Sequence, residues 1–231
     1  MVIKFMSFNI QHGKDFINQV IDLDLMVDTI KKCQAEIIGL NEVFGESVDE
    51  PSQAEIIARK LGYFVYFGKA IDYKGRPYGN AIISKYKFKS CETIMIPDPE
   101  RNTNEFYETR CIIKAEFDNP SFTTLVTHFG LAQSEQSNAV ETMVNVIKSI
   151  DTPIVLMGDL NMTPNHPKLV PIYQLLNDTL MNTKLLSFPS VNPNRKIDYI
   201  FVSKDINILD ANIPSIVASD HFPHTATLDI R

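Results

Sequence analysis

The sequence predicts a mixed α/β protein, on two observations. Short apolar runs of strand length alternate with longer stretches in which apolar side chains recur every three or four residues. Several of the short runs, such as 154–157 and 199–202, are apolar at every position, so their sheets are expected to be covered on both faces.

In chain order, strand-like runs fall at residues 2–8, 36–40, 64–67, 81–84, 111–117, 122–127, 154–157, 199–202 and 225–230. Three helical stretches stand out between them. In the first, Val20, Leu23, Val27 and Ile30 recur at steps of three and four. The second opens at Pro51-Ser52, where Ser52 and Glu55 stand at capping-box spacing, and it stops at Gly62. The third carries Val140, Met143, Ile147 and Ile150 on one face. Each stripe reads as a face packed on a core. The Pro- and Asn-rich segments 97–108 and 187–196 read as surface loops, either near a site or simply connecting elements.

Of 231 residues, 44% are hydrophobic and 22% charged, which suits a globular domain and excludes a disordered or collagen-like chain. No apolar run approaches the roughly 20 residues of a membrane span. No basic segment leads into an apolar stretch over residues 1–10, so no export signal is expected. Cys33, Cys91 and Cys111 are widely spaced among apolar neighbours, without zinc-site spacing, and read as reduced, buried thiols. The cytoplasm is the expected compartment. A net charge of −6 disfavours coating long nucleic acid, which relies on Lys and Arg to neutralise phosphates, though a local basic cleft stays open.

Polar residues that are costly to bury cluster at strand ends. Asn9 follows Phe5-Met6-Ser7-Phe8, Asn41-Glu42 follow Ile37-Ile38-Gly39-Leu40, and His128 follows Leu125-Val126-Thr127. The run 154–157 continues through Gly158 to Asp159, with Asn161 two residues later, while Asp198 and Ser219-Asp220-His221 precede strands. Where neighbouring strands are antiparallel, one strand's end and the next strand's beginning share a rim, so both kinds of position can converge. The result would be an oxygen-rich pocket with two imidazoles, suited to Mg²⁺ or Mn²⁺ rather than structural zinc. Singly, each piece has a plainer reading: Gly158-Asp159 as a turn, Glu42 as a solvated acid, His128 as a structural histidine, Ser219-Asp220-His221 as a capped loop. Contributors spread from residue 9 to residue 221 imply one domain, 1–231.

With these pieces in place, the chain resembles the endonuclease/exonuclease/phosphatase superfamily, the metal-dependent phosphoesterases related to exonuclease III and deoxyribonuclease I. The resemblance rests on Ser7-Phe8-Asn9-Ile10, Asn41-Glu42, Tyr78-Gly79-Asn80-Ala81-Ile82, Thr127-His128, Gly158-Asp159-Leu160-Asn161, Ile197-Asp198-Tyr199-Ile200-Phe201 and Ser219-Asp220-His221. It implies a four-layer αββα sandwich of two mixed, largely antiparallel sheets, with the site at one end. By resemblance, Glu42 is the principal metal ligand, with Asn9 beside it and Asp220 in or next to the metal shell. Asp159 would deprotonate the attacking water, and Asn161 would hold that carboxylate or the phosphate. His221, its tautomer fixed by Asp198, and His128, oriented by Asn80, would act on the phosphoryl oxygens or the leaving group. Arg110 matches a phosphate-contacting arginine of related nucleases, with a surface ion pair as the alternative.

The sequence also departs from parts of the superfamily. Gln11 stands where abasic-site nucleases carry an aspartate, and no tryptophan is present. Thr127-His128-Phe129-Gly130-Leu131 looks more like the branch of sphingomyelinase-type and other small bacterial hydrolases. His12 and His224 lie near motif residues and read as bystanders. The expected activity is Mg²⁺- or Mn²⁺-dependent phosphoesterase chemistry, most plausibly on a phosphodiester, by attack of an activated water without a covalent intermediate. The substrate is expected to be a small molecule, a lipid headgroup or nucleic acid, and the acidic balance favours a compact ester. A nuclease needs a basic track, for which Arg76, Arg101, Arg110, Arg195 and Lys196 are the candidates. A non-catalytic module that kept the fold is the alternative of a different class.

Overall fold

The computed structural model describes residues 1–101 and 104–231; Asn102 and Thr103, within the expected loop 97–108, lie outside the described residues. In chain order the strands are β1 (Val2–Asn9), β2 (Ile37–Phe44), β3 (Phe64–Tyr73), β4 (Arg76–Ser84), β5 (Ser90–Met95), β6 (Cys111–Asp118), β7 (Ser121–His128), β8 (Ile154–Asp159), β9 (Leu176–Asp178), β10 (Asp198–Ser203), β11 (Asn207–Asn212) and β12 (His224–Asp229). Helices α1 (Leu23–Cys33), α2 (Gln53–Leu61), α3 (Gln133–Lys148) and α4 (Val170–Leu175) lie between them.

Two six-stranded sheets result, ordered β11-β12-β1-β2-β4-β3 and β5-β6-β7-β8-β10-β9. Each contains one parallel pair: β1–β2, joined through α1, and β7–β8, joined through α3. Helical crossovers are what parallel neighbours require, and the remaining pairings are antiparallel.

The consecutive apolar residues of the inner strands follow from burial on both faces. Phe5, Ile37, Ile82, Ile113, Phe122, Val126, Met157 and Ile200 fill the layer between the sheets. On the outer face of the first sheet, Phe8, Ile38, Leu40 and Ile83 meet Met26, Val27 and Ile30 of α1 and Ala54 and Ile57 of α2. On the outer face of the second, Leu125, Leu156 and Phe201 meet Ala139, Met143 and Ile147 of α3 and Ile172 of α4. The architecture is therefore a four-layer αββα sandwich. Among the described residues, no helix is long and apolar enough to cross a membrane.

Local differences from the sequence reading have physical causes. Strands β5, β9 and β11 carry no strong apolar signal, and all three are sheet edges. In β5 and β11 most side chains are exposed or half-buried, so the run pattern is lost. Helix α1 starts only at Leu23, capped by the Asp22 carboxylate accepting from Leu25 N at 2.9 Å, and leaves Val20 exposed. Ser52 forms no capping bond; its hydroxyl turns to the carbonyl of Phe44 at 3.5 Å.

Candidate active site

Topology brings the polar strand ends together. Both parallel pairs end on the same rim, with Asn9 opposite Asn41 in one sheet and His128 opposite Asp159 in the other. Antiparallel β10 begins there, placing Asp198 opposite Asp159. Bulged and left-handed backbone then aims the side chains. Between Leu40 and Val43 the register shifts, so Asn41 and Glu42 together face Asn80, and Glu42 takes φ 58°. Gln11 (φ 43°), His12 (φ 48°) and Asn161 (φ 51°) are also left-handed, a concentration of strained non-glycine backbone around one rim. At Gly158 a Cβ would lie 1.8 Å from the Thr127 carbonyl oxygen, so only glycine lets β8 carry Asp159 this close to β7.

Asn41, fully buried, ties the two sheets. Its amide NH₂ donates to Asn80 Oδ1 (2.8 Å) and to the Thr127 carbonyl (2.9 Å), and its Oδ1 accepts from the backbone N of Asp159 (3.0 Å). Asn80 is consumed by this tie. Its own NH₂ donates to the Cys111 carbonyl at 3.1 Å, so it neither orients His128 nor lines the cavity, contrary to the sequence reading. The bulge explains this: opposing two residues of β2, Asn80 faces Asn41 rather than the imidazole.

The Asp159 carboxylate is the hub. Its Oδ1 accepts from the backbone N of Asn161 (2.9 Å) and its Oδ2 from Asn9 Nδ2 (3.2 Å). The same Oδ2 lies 3.6 Å from Nε2 of His128 and 3.6 Å from Nε2 of His221. Burial raises its pKa to about 7, the Asp198 charge adding to this and His221 opposing it. Burial alone would lower His221, but the carboxylates of Asp198 and Asp159, the 2.8 Å bond from Nδ1 to Asp198 Oδ2, and Asp220 raise it to about 10. His128 moves the other way: burial, Arg110 and His221 hold it well below its ordinary value, so its ring is neutral. The site thus presents a charged imidazole and a neutral one on either side of one buried carboxylate.

Beside this hub lies a second carboxylate pair. Glu42 Oε1 accepts from Asn9 Nδ2 (3.0 Å) and Oε2 from the Tyr78 hydroxyl (3.1 Å), while Asp220 Oδ2 accepts from Gln11 Nε2 (3.0 Å). Burial and the nearby Glu42 charge raise the Asp220 carboxyl. Burial and Glu42 likewise raise Tyr78, which stays a protonated donor. Two acids that repel each other, bonded by neutral donors and with only His221 beside Asp220 to offset their charge, form a donor set that fits a hard divalent cation. Asp159, Asp198 and His221 also offer atoms within 4.8 Å of one another. That cluster is internally neutralised, because a protonated imidazole between two carboxylates has no lone pair for a metal.

Asn9 and Arg110 are both tied into the rim. The Asn9 amide oxygen accepts from the backbone N of Gln11 (3.1 Å), and its NH₂ bridges Glu42 and Asp159. Facing two carboxylates, the amide presents its donor side and orients the acids. Arg110 lines the cavity. It is nearly buried, with Nη1 2.8 Å from Glu108 Oε1 and 3.0 Å from His128 Nδ1. His12 packs against Phe44 and Tyr78, and His224 bonds Thr179 Oγ1 and the Asp198 carbonyl behind the rim.

A cavity of about 420 Å³ opens over these groups, lined by Glu42, Asp159, Asn161, Asp220 and His221 together with Phe106, Leu131 and Phe188 at its mouth. Both expected loops contribute, 97–108 through Phe106 and Glu108, and 187–196 through Phe188 and Arg195. Asn41 and Gln11 are visible in sequence as positions but without the bonds they make here, and Tyr78 and Glu108 take no role in the sequence reading. Tyr78 lies inside a recognised motif, which is signal enough to find it; nothing in sequence marks Glu108.

The two-sheet sandwich recurs among solved structures. An endonuclease/exonuclease/phosphatase from Bacteroides vulgatus superposes with TM-score 0.80 at 18% identity over 100% of both chains. A mannosyl-6-phosphatase from Bacteroides thetaiotaomicron VPI-5482 superposes with TM-score 0.79 at 17% identity, over 99% of this chain and 100% of that one. In sequence, the uncharacterized protein YbhP of Escherichia coli K12 is 21% identical over 250 residues, spanning 98% of this chain and 96% of that protein. The profile of the Endonuclease/Exonuclease/phosphatase family matches residues 6–221, and the chain belongs to that family.

Proposed function

We propose that this chain, acting as one unit over residues 1–231, is a divalent-cation-dependent phosphodiesterase for a small-molecule or lipid-headgroup ester. The observation that carries this is Asp159 Oδ2, 3.6 Å from each of two imidazoles and beside the Glu42–Asp220 carboxylate pair. Glu42 and Asp220 would hold Mg²⁺ or Mn²⁺, which when bound supplies charge compensation at the phosphoryl oxygens and acidifies water. Asp159, with a pKa near neutrality, takes the proton of the attacking water, held in place by Asn9 and the backbone N of Asn161. His221, charged and fixed by Asp198, donates to a phosphoryl oxygen. Neutral His128 donates to a second such oxygen or to the leaving group. Three free thiols agree with a reducing, cytoplasmic setting.

The preference for a compact ester rests on charge. Of the five candidate cations for a nucleic-acid track, Arg76 pairs with Glu50, Arg101 with Asp98, Arg110 with Glu108 and Lys196 with Asp178. Arg195, over the Phe188 ring at 4.9 Å, is the one in no ion pair among the described residues. One unpaired cation among these five suits one phosphate better than a polynucleotide backbone. The test is hydrolysis of an aryl phosphodiester with added Mg²⁺ or Mn²⁺, alongside duplex DNA, RNA, phospholipid and sugar-phosphate substrates. Activity should vanish on chelation and in Asp159→Ala. Full activity in either case, or a preference for duplex DNA, would contradict the reading.

A further inference from the structure

His128 stands between two hydrogen-bond donors, of which its neutral ring can accept from one. Its Nδ1 is 3.0 Å from Arg110 Nη1, and its Nε2 is 3.1 Å from Asn161 Nδ2. Both neighbours are donors, yet a neutral imidazole has one bare nitrogen. Arginine has no acceptor to offer, and its Nη1 donates to His128 Nδ1 while lying 2.8 Å from Glu108 Oε1 in an ion pair. With the proton on Nε2, Asn161 Nδ2 at 3.1 Å meets it donor to donor, but that amide keeps its own acceptor in the Phe129 carbonyl at 2.9 Å. A proton on Nδ1 would instead face a buried guanidinium head-on.

We infer that Arg110, anchored by Glu108, is a positioning residue that holds His128 as its Nε2–H tautomer with that proton directed into the cavity. Nε2 then becomes a donor on the side of Asp159 Oδ2, 3.6 Å away, where a phosphoryl or leaving oxygen sits in the proposed reaction. Arg110 therefore acts on chemistry through His128, whereas a phosphate-binding arm would act on affinity. The catalytic consequence rests on the phosphodiesterase reading above; the tautomer does not.

The experiment is ¹⁵N NMR of the imidazole nitrogens in the full-length protein at neutral pH, with His128 identified among the five histidines by its loss in His128→Gln. The wild type should show a bare Nδ1 and a protonated Nε2. Arg110→Met, which removes the donor, should move the proton toward Nδ1 and lower kcat by about 10- to 100-fold with KM changed less than about 3-fold. Arg110→Lys, keeping a cationic donor, should restore the tautomer and most of kcat. Nδ1–H in the wild type overturns the inference whatever the variants do. So does an unaltered tautomer in folded Arg110→Met, or a loss confined to KM. If no phosphoester is turned over, the function falls while the tautomer measurement still decides the role of Arg110.

Discussion

Replacing Asn41 by alanine removes a buried side chain that makes three bonds at the rim, two of them to the opposite sheet. Three buried groups lose a partner at once: Asn80 Oδ1, the Thr127 carbonyl and the backbone N of Asp159. A buried polar group left unsatisfied costs about 1–3 kcal/mol, so three of them predict a loss of about 3–9 kcal/mol. Total stabilities of about 5–15 kcal/mol make this a large share. Equilibrium urea unfolding reads it as a lowered midpoint at unchanged slope. Asn41→Asp, equal in size, should cost at least as much, because it turns acceptor oxygens toward the Asn80 and Thr127 oxygens. A loss under about 1 kcal/mol for Asn41→Ala would refute the keystone argument, since it would mean that these bonds are not holding the rim.

Three further outcomes are expected. His224 is buried neutral, its pKa lowered from 6.5 to about 3 by burial and by Lys196. The unfolded chain binds that proton more tightly, so the stability is complete above the unfolded value and drains away as pH falls from 6.5 toward about 3. The slope is about 1.4 kcal/mol per pH unit, so near pH 5 denaturation should show a deficit of about 2 kcal/mol that His224→Gln removes. Gly158→Ala, driving a Cβ to 1.8 Å from the Thr127 oxygen, should cost at least about 3 kcal/mol, whereas Gly75→Ala, with open space and φ +77°, should cost about 1 kcal/mol by thermal melting. Tyr78→Phe, which deprives Glu42 of its 3.1 Å donor, should weaken Mg²⁺ binding by about 10-fold or more in calorimetry while the fold stays intact.

What sequence reveals here tracks burial. The inner strands β1, β2, β6, β7, β8, β10 and β12 announce themselves because both faces are largely covered and buried positions follow one another along them. Edge strands β5 and β11, half solvated, look like any polar segment. At the rim, the residue types are legible because each polar residue borders an apolar run. Which atom of each side chain faces the site is not. Asn9 presents its NH₂ rather than its oxygen because Glu42 and Asp159 arrive from other strands. Arg110 is directed by Glu108 two residues away and by His128 on the neighbouring strand. Asn80 is captured by Asn41 through a bulge that no local pattern encodes. Donor and acceptor direction is a tertiary property that residue type alone does not encode.

The most direct measurement is calorimetric titration of the full chain with MgCl₂, wild type beside Glu42→Gln. Two carboxylates that line one cavity and feel each other's charge predict saturable binding in the wild type, weakened by about 10-fold or more when Glu42 loses its charge. Equal binding by the two proteins, or no binding by a wild type that still hydrolyses phosphodiesters under chelation, would contradict a cation held between Glu42 and Asp220.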